Sequence, residues 1–278
     1  MTIFQAIILG LVQGLAEFLP ISSSGHLAVL EYFFKINADN VLLFAVLLHF
    51  GTLISIFAVY YKDIYELILE LGATLKDVFT GKGLQINKND YRKLGVLIVI
   101  ATIPTGFFGI VFKDSFSGLY NSMLFIGIGF IITSILLFTV QRYGKERKDI
   151  KSMTLWDGFI VGLFQSVAIA PGISRSGATI TGSLFTGAKR EVAVRFAFLI
   201  SIPSILGALI IEGKDALSSG IDTALLMPIS AGVIVAAVTG FIAIKTMIRV
   251  VTNRKLHYFA YYTFILGTIV IISTFINK

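Results

Sequence analysis

The sequence predicts an all-α integral membrane protein with about six spanning helices and two re-entrant helical hairpins, arranged as an inverted-topology repeat. Three observations lead to this fold class. Of the 278 residues, 56% are hydrophobic and 14% are charged, whereas a soluble domain carries about 25% charged residues. Most apolar residues form runs about as long as a spanning helix, and two further runs are interrupted by Pro, Gly and Ser. The bilayer is therefore the solvent for most of this chain, and its backbone polar groups must bond internally.

The predicted spans are apolar runs near the roughly 20 residues that a membrane-crossing helix needs. They cover residues 41–60, 94–112, 123–140, 193–211, 225–244 and 258–276. A short turn is expected near 113–120, where it would join two spans as an out-and-back hairpin. Outer segments are expected near 37–40 and at 212–223.

Basic residues cluster in the connecting segments, at 62–93, 142–151, 189–190 and 249–255. The positive-inside rule places these segments in the cytoplasm. Membrane topology thus explains the net charge of +7, and no nucleic-acid partner is expected. The chain has no cysteine, which excludes disulfides, thiolate nucleophiles and Cys-based zinc sites. The N-terminus lacks a basic region, so no removable signal peptide is expected.

Residues 3–33 and 155–185 are similar in sequence at a constant offset of 152 positions. Chance matching of apolar residues is the alternative, but an ungapped match that includes Gln, two Ser and two Gly favours a duplication. The matched residues are Gly10, Leu11, Gln13, Ala16, Ile21, Ser22, Ser24 and Gly25, which recur as Gly162, Leu163, Gln165, Ala168, Ile173, Ser174, Ser176 and Gly177.

The duplication divides a single polytopic domain, 1–278, into a first repeat at 1–141 and a second at 153–278. The span after the first hairpin is predicted to run inward and the span after the second to run outward, so the repeats are inverted. Inverted repeats with broken helices place their polar site near the bilayer midplane. The two hairpin loops are therefore expected to form one shared site.

The first loop carries an unusual set of polar residues. Gln13 and Glu17 are four positions apart and share one helix face. An ionisable residue at membrane depth indicates function, although a Glu bonded to backbone or kept protonated is the alternative. Pro20 ends the helix, and the run Ser22–Ser24 precedes His26. Its hydroxyls offer donors and a nucleophile, and His26 can exchange a proton. A simple helix break with a capping His is the alternative for this run.

The second loop places Arg175 between Ser174 and Ser176, with Thr179 following. A guanidinium binds phosphate oxygens through two parallel hydrogen bonds, and the N-terminus of the next helix favours the same anion. An Arg that extends to the membrane interface is the alternative. A carboxylate, a His, hydroxyls and an Arg together suit phosphoryl transfer, with Glu17 able to hold Mg²⁺ or Ca²⁺. Of the other histidines, His49 is predicted to pack within its helix and His257 to lie at the membrane interface.

These motifs resemble those of the bacterial undecaprenyl-diphosphate phosphatases, also called bacitracin-resistance proteins. That family carries a (Glu/Gln)-x-x-x-Glu motif, a Ser-rich Gly-His segment and a Pro-Gly-x-Ser-Arg-Ser-x-x-Thr motif. All three occur here in order, at 13–17, 22–26 and 171–179. The length and hydrophobic layout are similar along essentially the whole chain.

The resemblance implies a phosphatase that converts undecaprenyl diphosphate to the monophosphate, recycles the carrier for cell-wall peptidoglycan synthesis and confers bacitracin resistance. It implies a divalent cation, Mg²⁺ or Ca²⁺, and a site that opens to the outer side of the bacterial cytoplasmic membrane. Glu17 would bind metal or water with help from Gln13, while Ser23 and His26 would be nucleophile and proton-transfer partner in an order left open. The residues expected to bind the diphosphate are Ser22, Ser24, Ser174, Arg175, Ser176 and Thr179.

Two other functions share some of these features. Inverted repeats with broken helices are typical of secondary transporters, so a polyprenyl-phosphate flippase is the alternative. The type-2 phosphatidic acid phosphatases share a Ser-Gly-His element but need a His soon after a later Arg, and none follows Arg175 before His257. The sequence leaves open whether two copies form a homodimer, since Gly127 and Gly129 suit helix packing within or between subunits.

Overall fold

The computed structural model describes residues 1–34, 38–120, 122–144, 146–218 and 225–276. These residues form twelve α-helices and one 3₁₀ turn, Ile150–Ser152. In chain order the helices are α1 Ile3–Phe18, α2 Ser23–Phe34, α3 Ala38–Val59, α4 Tyr61–Phe79, α5 Asp90–Val111, α6 Lys113–Tyr120, α7 Met123–Tyr143, α8 Leu155–Val167, α9 Arg175–Phe185, α10 Arg190–Ser218, α11 Leu226–Thr252 and α12 His257–Ile276.

The predicted all-α membrane fold is confirmed. Five helices of the described chain (α5, α7, α10, α11 and α12) are long and apolar enough to cross a membrane. A sixth candidate is the pair α3 and α4, which bends by 87° after Val59. The remaining apolar helices are short. They form the two predicted broken hairpins, α1–α2 and α8–α9.

The two hairpins begin with the same device. Thr2 caps α1 in a reciprocal box with Gln5, and Thr154 caps α8 in the same way with Asp157. Each Thr accepts from the third backbone N–H of its helix while the third side chain bonds back, which satisfies two otherwise free donors. Both pairs lie at the offset of 152 that relates the two segments.

Each hairpin packs against a helix from the other half of the chain, since α1 lies along α11 and α8 along α5. Glycines permit both contacts. A Cβ atom on Gly10 would lie 2.3 Å from the carbonyl oxygen of Gly232, and one on Gly162 would lie 2.3 Å from that of Ala101. Two further contacts join the halves, since α3 packs on α10 and α7 packs on α12. The two halves are thus interlocked. The division into repeats at 1–141 and 153–278 stays a prediction.

Several boundaries differ from those expected. The turn expected near 113–120 is the short helix α6, and α10 continues to Ser218, into the segment expected to be an outer loop. Residues 219–224 and residue 37 lie outside the described chain. Both Gly127 and Gly129 pack within the subunit, against Gly267 and the Pro171–Gly172 backbone.

Candidate active site between the two hairpins

Glu17 lies at the centre of the site. It belongs to the last turn of α1, just before Pro20 ends that hairpin arm, and its side chain is buried. The Oε2 atom accepts from Gln13 Nε2 at 3.0 Å and from Ser23 Oγ at 2.7 Å. The predicted helix-face pair of Gln13 and Glu17 therefore forms, and the first residue of α2 joins it.

The second hairpin contributes Arg175, whose guanidinium donates to Glu17 Oε1. A second bond links the same two loops, because Ser176 Oγ donates to the carbonyl oxygen of Leu19 at 3.2 Å. The two loops, which were expected to share one site, are thus in direct contact. A buried carboxylate and a guanidinium need each other here, since either charge alone would be costly at membrane depth.

The serines at the two loop ends occupy equivalent positions. Ser22 Oγ accepts from Gly25 N at 3.3 Å, and Ser174 Oγ accepts from Gly177 N at 3.1 Å. Their neighbours two positions on, Ser24 and Ser176, lie 3.3 and 3.2 Å from them, oxygen to oxygen. The Ser22 and Ser174 hydroxyls cap α2 and α9. The positive ends of both helix dipoles therefore point toward the loops.

Ser22 has a φ of +70°. A left-handed conformation is uncommon outside glycine and costs energy that the surrounding structure must supply. Here it lets the chain reverse between α1 and α2 and brings Ser23 back to Glu17. Thr179, also predicted for the site, is fully buried and donates to the carbonyl oxygens of Arg175 and Ser176. Its bonds thus support the first turn of α9.

His26 contacts a different set of groups from the other predicted catalytic residues. Its Nδ1 lies 2.8 Å from the carbonyl oxygen of Ser22, and its Nε2 lies 2.7 Å from the Tyr262 hydroxyl on α12. The imidazole ring stacks on Tyr262 and meets Phe130 edge-on. In this arrangement His26 stabilises the turn at Ser22 through its hydrogen bond to the Ser22 carbonyl oxygen.

His49 was predicted to pack within its helix, and that prediction is incomplete. Its Nδ1 does bond within α3, 2.8 Å from the carbonyl oxygen of Ala45. Its Nε2, however, lies 3.7 Å from Glu17 Oε2. Because a carbonyl only accepts, Nδ1 carries the hydrogen, and the other nitrogen faces the carboxylate.

The sequence repeat indicates that His49 lies beside the site. A small cavity beside Glu17 and Arg175 is also lined by Ser201 of α10. Ser201 is the residue that the offset of 152 pairs with His49. Polar residues at equivalent positions of two apolar spans therefore point to the same loops, one from each half.

The residues present also fit a divalent cation. Gln13 Oε1 is buried and has no hydrogen-bond partner among the described residues, so an oxygen ligand is left over beside the Glu17 carboxylate. No cluster of three or more His, Asp or Glu side chains occurs in the described chain. Such a site suits Mg²⁺, which takes one or two protein oxygens and completes its shell with waters and substrate phosphates.

The chain is similar to known proteins along nearly its whole length. Residues 6–269 match the family model described as bacitracin resistance protein BacA. Three similar proteins are each named undecaprenyl-diphosphatase. The one from Alkaliphilus metalliredigens is 51% identical over 98% of both chains, the one from Treponema denticola 45% over 96% of both, and the one from Halothermothrix orenii 40% over 98% of both.

Proposed function

This chain belongs to the bacitracin resistance protein BacA family, and from that membership we propose that it is an undecaprenyl-diphosphatase. The reaction is hydrolysis of undecaprenyl diphosphate to undecaprenyl phosphate and orthophosphate. In the cell this would return the lipid carrier to peptidoglycan synthesis and confer resistance to bacitracin. The proposed location is the bacterial cytoplasmic membrane, with a site that opens to its outer side.

One observation carries the mechanism: the 2.7 Å hydrogen bond from Ser23 Oγ to Glu17 Oε2. A hydroxyl is a weak nucleophile unless a base takes its proton, and a carboxylate within hydrogen-bond reach can do so. The two ring nitrogens of His26 bond to Ser22 and Tyr262 instead. We therefore assign Ser23 as the nucleophile and Glu17 as its base.

In the first step Ser23 Oγ attacks the terminal phosphorus and its proton passes to Glu17. A bond forms between Oγ and phosphorus as the bond from phosphorus to the bridging oxygen breaks, and undecaprenyl phosphate leaves with that oxygen. Water then attacks the phosphoserine. Both hydrogens of the water stay on the released orthophosphate, and Glu17 returns its proton to Ser23.

Charge develops on the phosphoryl oxygens during both steps. Arg175 carries several N–H donors in a planar fork, so one can hold Glu17 while others bind phosphate. The helices α2 and α9 begin at Ser23 and Arg175, so backbone N–H groups of their first turns would add donors for the phosphate. Donors fixed in advance are the main source of rate enhancement in such reactions.

A divalent cation, Mg²⁺ or Ca²⁺, would be held by Gln13 Oε1 and Glu17. When bound it would neutralise charge on the diphosphate oxygens. His49, whose Nε2 lies 3.7 Å from Glu17 Oε2, would when protonated help to balance the charge of this carboxylate.

The test is phosphate release from undecaprenyl diphosphate by detergent-purified protein, with Mg²⁺, with Ca²⁺ and after treatment with a chelator. We expect cation-dependent release that is lost in Glu17→Gln, Ser23→Ala and Arg175→Ala. Ser230→Ala is a matched control, because this exposed serine donates only to its own helix. Failure of the folded native protein to release phosphate would overturn the proposal and leave lipid transport as the working hypothesis.

A second measurement tests the nucleophile by itself. Substrate labelled in the terminal phosphate and quenched in acid should leave label on the native protein and none on Ser23→Ala. If Ser23→Ala still releases phosphate at the native rate, the serine step is wrong and a water activated by Glu17 takes its place.

A further inference from the structure

The helix α4 follows α3, which contains the predicted span 41–60, after a bend of 87°. A helix at about right angles to a predicted span is expected to lie close to the membrane plane. The basic cluster at 62–93 begins in α4, so this helix is expected at the same membrane surface as the other basic segments, where its two sides meet different surroundings.

One side of α4 is acidic and faces the protein. Asp63, Glu70 and Asp77 are spaced by seven residues, about two turns, and so share one face. Arg195 of α10 pairs with Asp63. Arg92 of α5, whose side chain is buried, donates to Glu70 at 2.9 Å and to Asp77 at 2.6 Å. Three ion pairs along one face fix how the helix is rotated about its axis.

The opposite side is apolar and exposed. Its large side chains lie three, four or seven positions apart, which keeps them on one stripe. Each is at least half exposed, and the terminal Phe79 is 87% exposed. The stripe consists of Tyr61, Tyr65, Ile68, Leu75 and Phe79.

Two lysines border this stripe. Lys62 and Lys76 are exposed and 14 positions apart, so they lie on the same flank of the helix. A helix with an apolar face and basic residues beside it suits the boundary between acyl chains and lipid headgroups. Lysines there extend along the helix and place their ammonium groups among the phosphates.

We propose that α4 is an in-plane anchor that binds anionic phospholipids on the basic side of the membrane. The apolar stripe enters the acyl region, Lys62 and Lys76 bind lipid phosphates, and the acidic face holds the anchor to α5 and α10. Exposed apolar side chains on α3 (Phe50, Ile54 and Phe57) lead directly into the stripe, which is why a bilayer is its partner. This inference depends on the fold and is independent of the proposed reaction.

The test uses the single tryptophan of the chain. Trp156 is replaced by Phe, which keeps an aromatic ring against Phe159, and one tryptophan is then placed at Ile68 or at Phe79. Glu66→Trp is the matched control, because a residue two positions from Ile68 points about 200° away from it. Each protein is reconstituted in vesicles of phosphatidylcholine with brominated acyl chains.

We expect the fluorescence at positions 68 and 79 to be quenched by the brominated chains far more than that at position 66. Equal quenching at all three positions, or none at 68 and 79, would overturn the anchor. Absence of quenching together with a cross-linked dimer through these positions would assign the stripe to a second copy of the chain.

A second quenching experiment tests the preference for anionic lipid. Brominated phosphatidylglycerol in unlabelled phosphatidylcholine should quench position 68 more than the same fraction of brominated phosphatidylcholine does. Each lysine is expected to strengthen the attraction of α4 to an anionic surface roughly fivefold. Lys62→Gln with Lys76→Gln should remove the difference, and the same difference without the lysines would overturn their role.

Discussion

The Nε2 atom of His26 lies 2.7 Å from the hydroxyl oxygen of Tyr262, although the two residues are 236 positions apart. The other ring nitrogen faces the Ser22 carbonyl, which only accepts, so it must carry the hydrogen. Nε2 of the neutral ring then accepts from the tyrosine hydroxyl. Tyr262 thereby fixes the tautomer of a ring that holds the Ser22 turn, and that turn positions Ser23.

Tyr262→Phe should therefore lower the rate of phosphate release through Ser23. The aromatic stack on His26 is kept, while one hydrogen bond worth about 1 kcal/mol is lost. We expect kcat to fall several-fold, up to about tenfold, with KM little changed. Tyr261→Phe is the control, since its ring contacts Phe138 and His257 rather than the site. An unchanged kcat in Tyr262→Phe would show that the turn holds Ser23 without this bond.

Local features of the fold could be predicted because their causes are local. The apolar runs predict the spans, and Pro20 with the serines that follow it predicts the break between α1 and α2. The repeat predicted that the two loops share one site, and Ser23 and Arg175 both bond to Glu17 in the structure. Contacts such as the one between His26 and Tyr262 depend on how α12 is rotated against α2, which no local pattern fixes.

The sequence prediction for His49 is correct for one ring nitrogen and incomplete for the other. An isolated His in an apolar span is explained equally well by a bond to its own helix, and His49 does make that bond. Its second nitrogen reaches Glu17 only because α3 crosses beside the tip of the first hairpin. The offset of 152 pairs His49 with Ser201 in the second repeat. Two polar residues at equivalent positions of apolar spans are the sequence signal that indicates a place beside the site.

His49→Gln should reduce kcat by about tenfold, the equivalent of about 1.4 kcal/mol, because a group that balances the charge of the catalytic carboxylate is lost. Glutamine keeps a polar side chain of similar length, so the protein should remain folded. Steady-state kinetics with undecaprenyl diphosphate measure the effect. The paired control is His257→Gln, which lies near the start of α12 against Tyr258 and should match the native rate. Equal activities of both variants would remove His49 from the site.

The ion pair between Glu17 and Arg175 should contribute to stability as well as to activity. Breaking a buried pair from one side leaves an uncompensated charge and costs about 3–5 kcal/mol. We expect Glu17→Gln and Arg175→Gln each to lower the thermal unfolding temperature in detergent. The double variant should lose less than the two single losses combined, by roughly 0.5–3 kcal/mol. Additive losses would mean that the two side chains do not interact in the folded protein.

Close packing of the hairpin on its partner helix gives a last prediction. A methyl group at Gly10 would lie 2.3 Å from the Gly232 carbonyl oxygen, and backbone on both sides leaves it no room. Gly10→Ala should therefore push α1 away from α11, destabilise the protein by about 1–3 kcal/mol and displace Glu17, with a loss of phosphate release. Gly72→Ala is the matched control, because a Cβ atom there meets nothing within 4 Å. In the middle of α4 it should stabilise by about 0.5–1 kcal/mol through helix propensity. Thermal unfolding of both variants in one detergent decides the matter, and equal stability of the two would contradict the tight packing of α1 on α11.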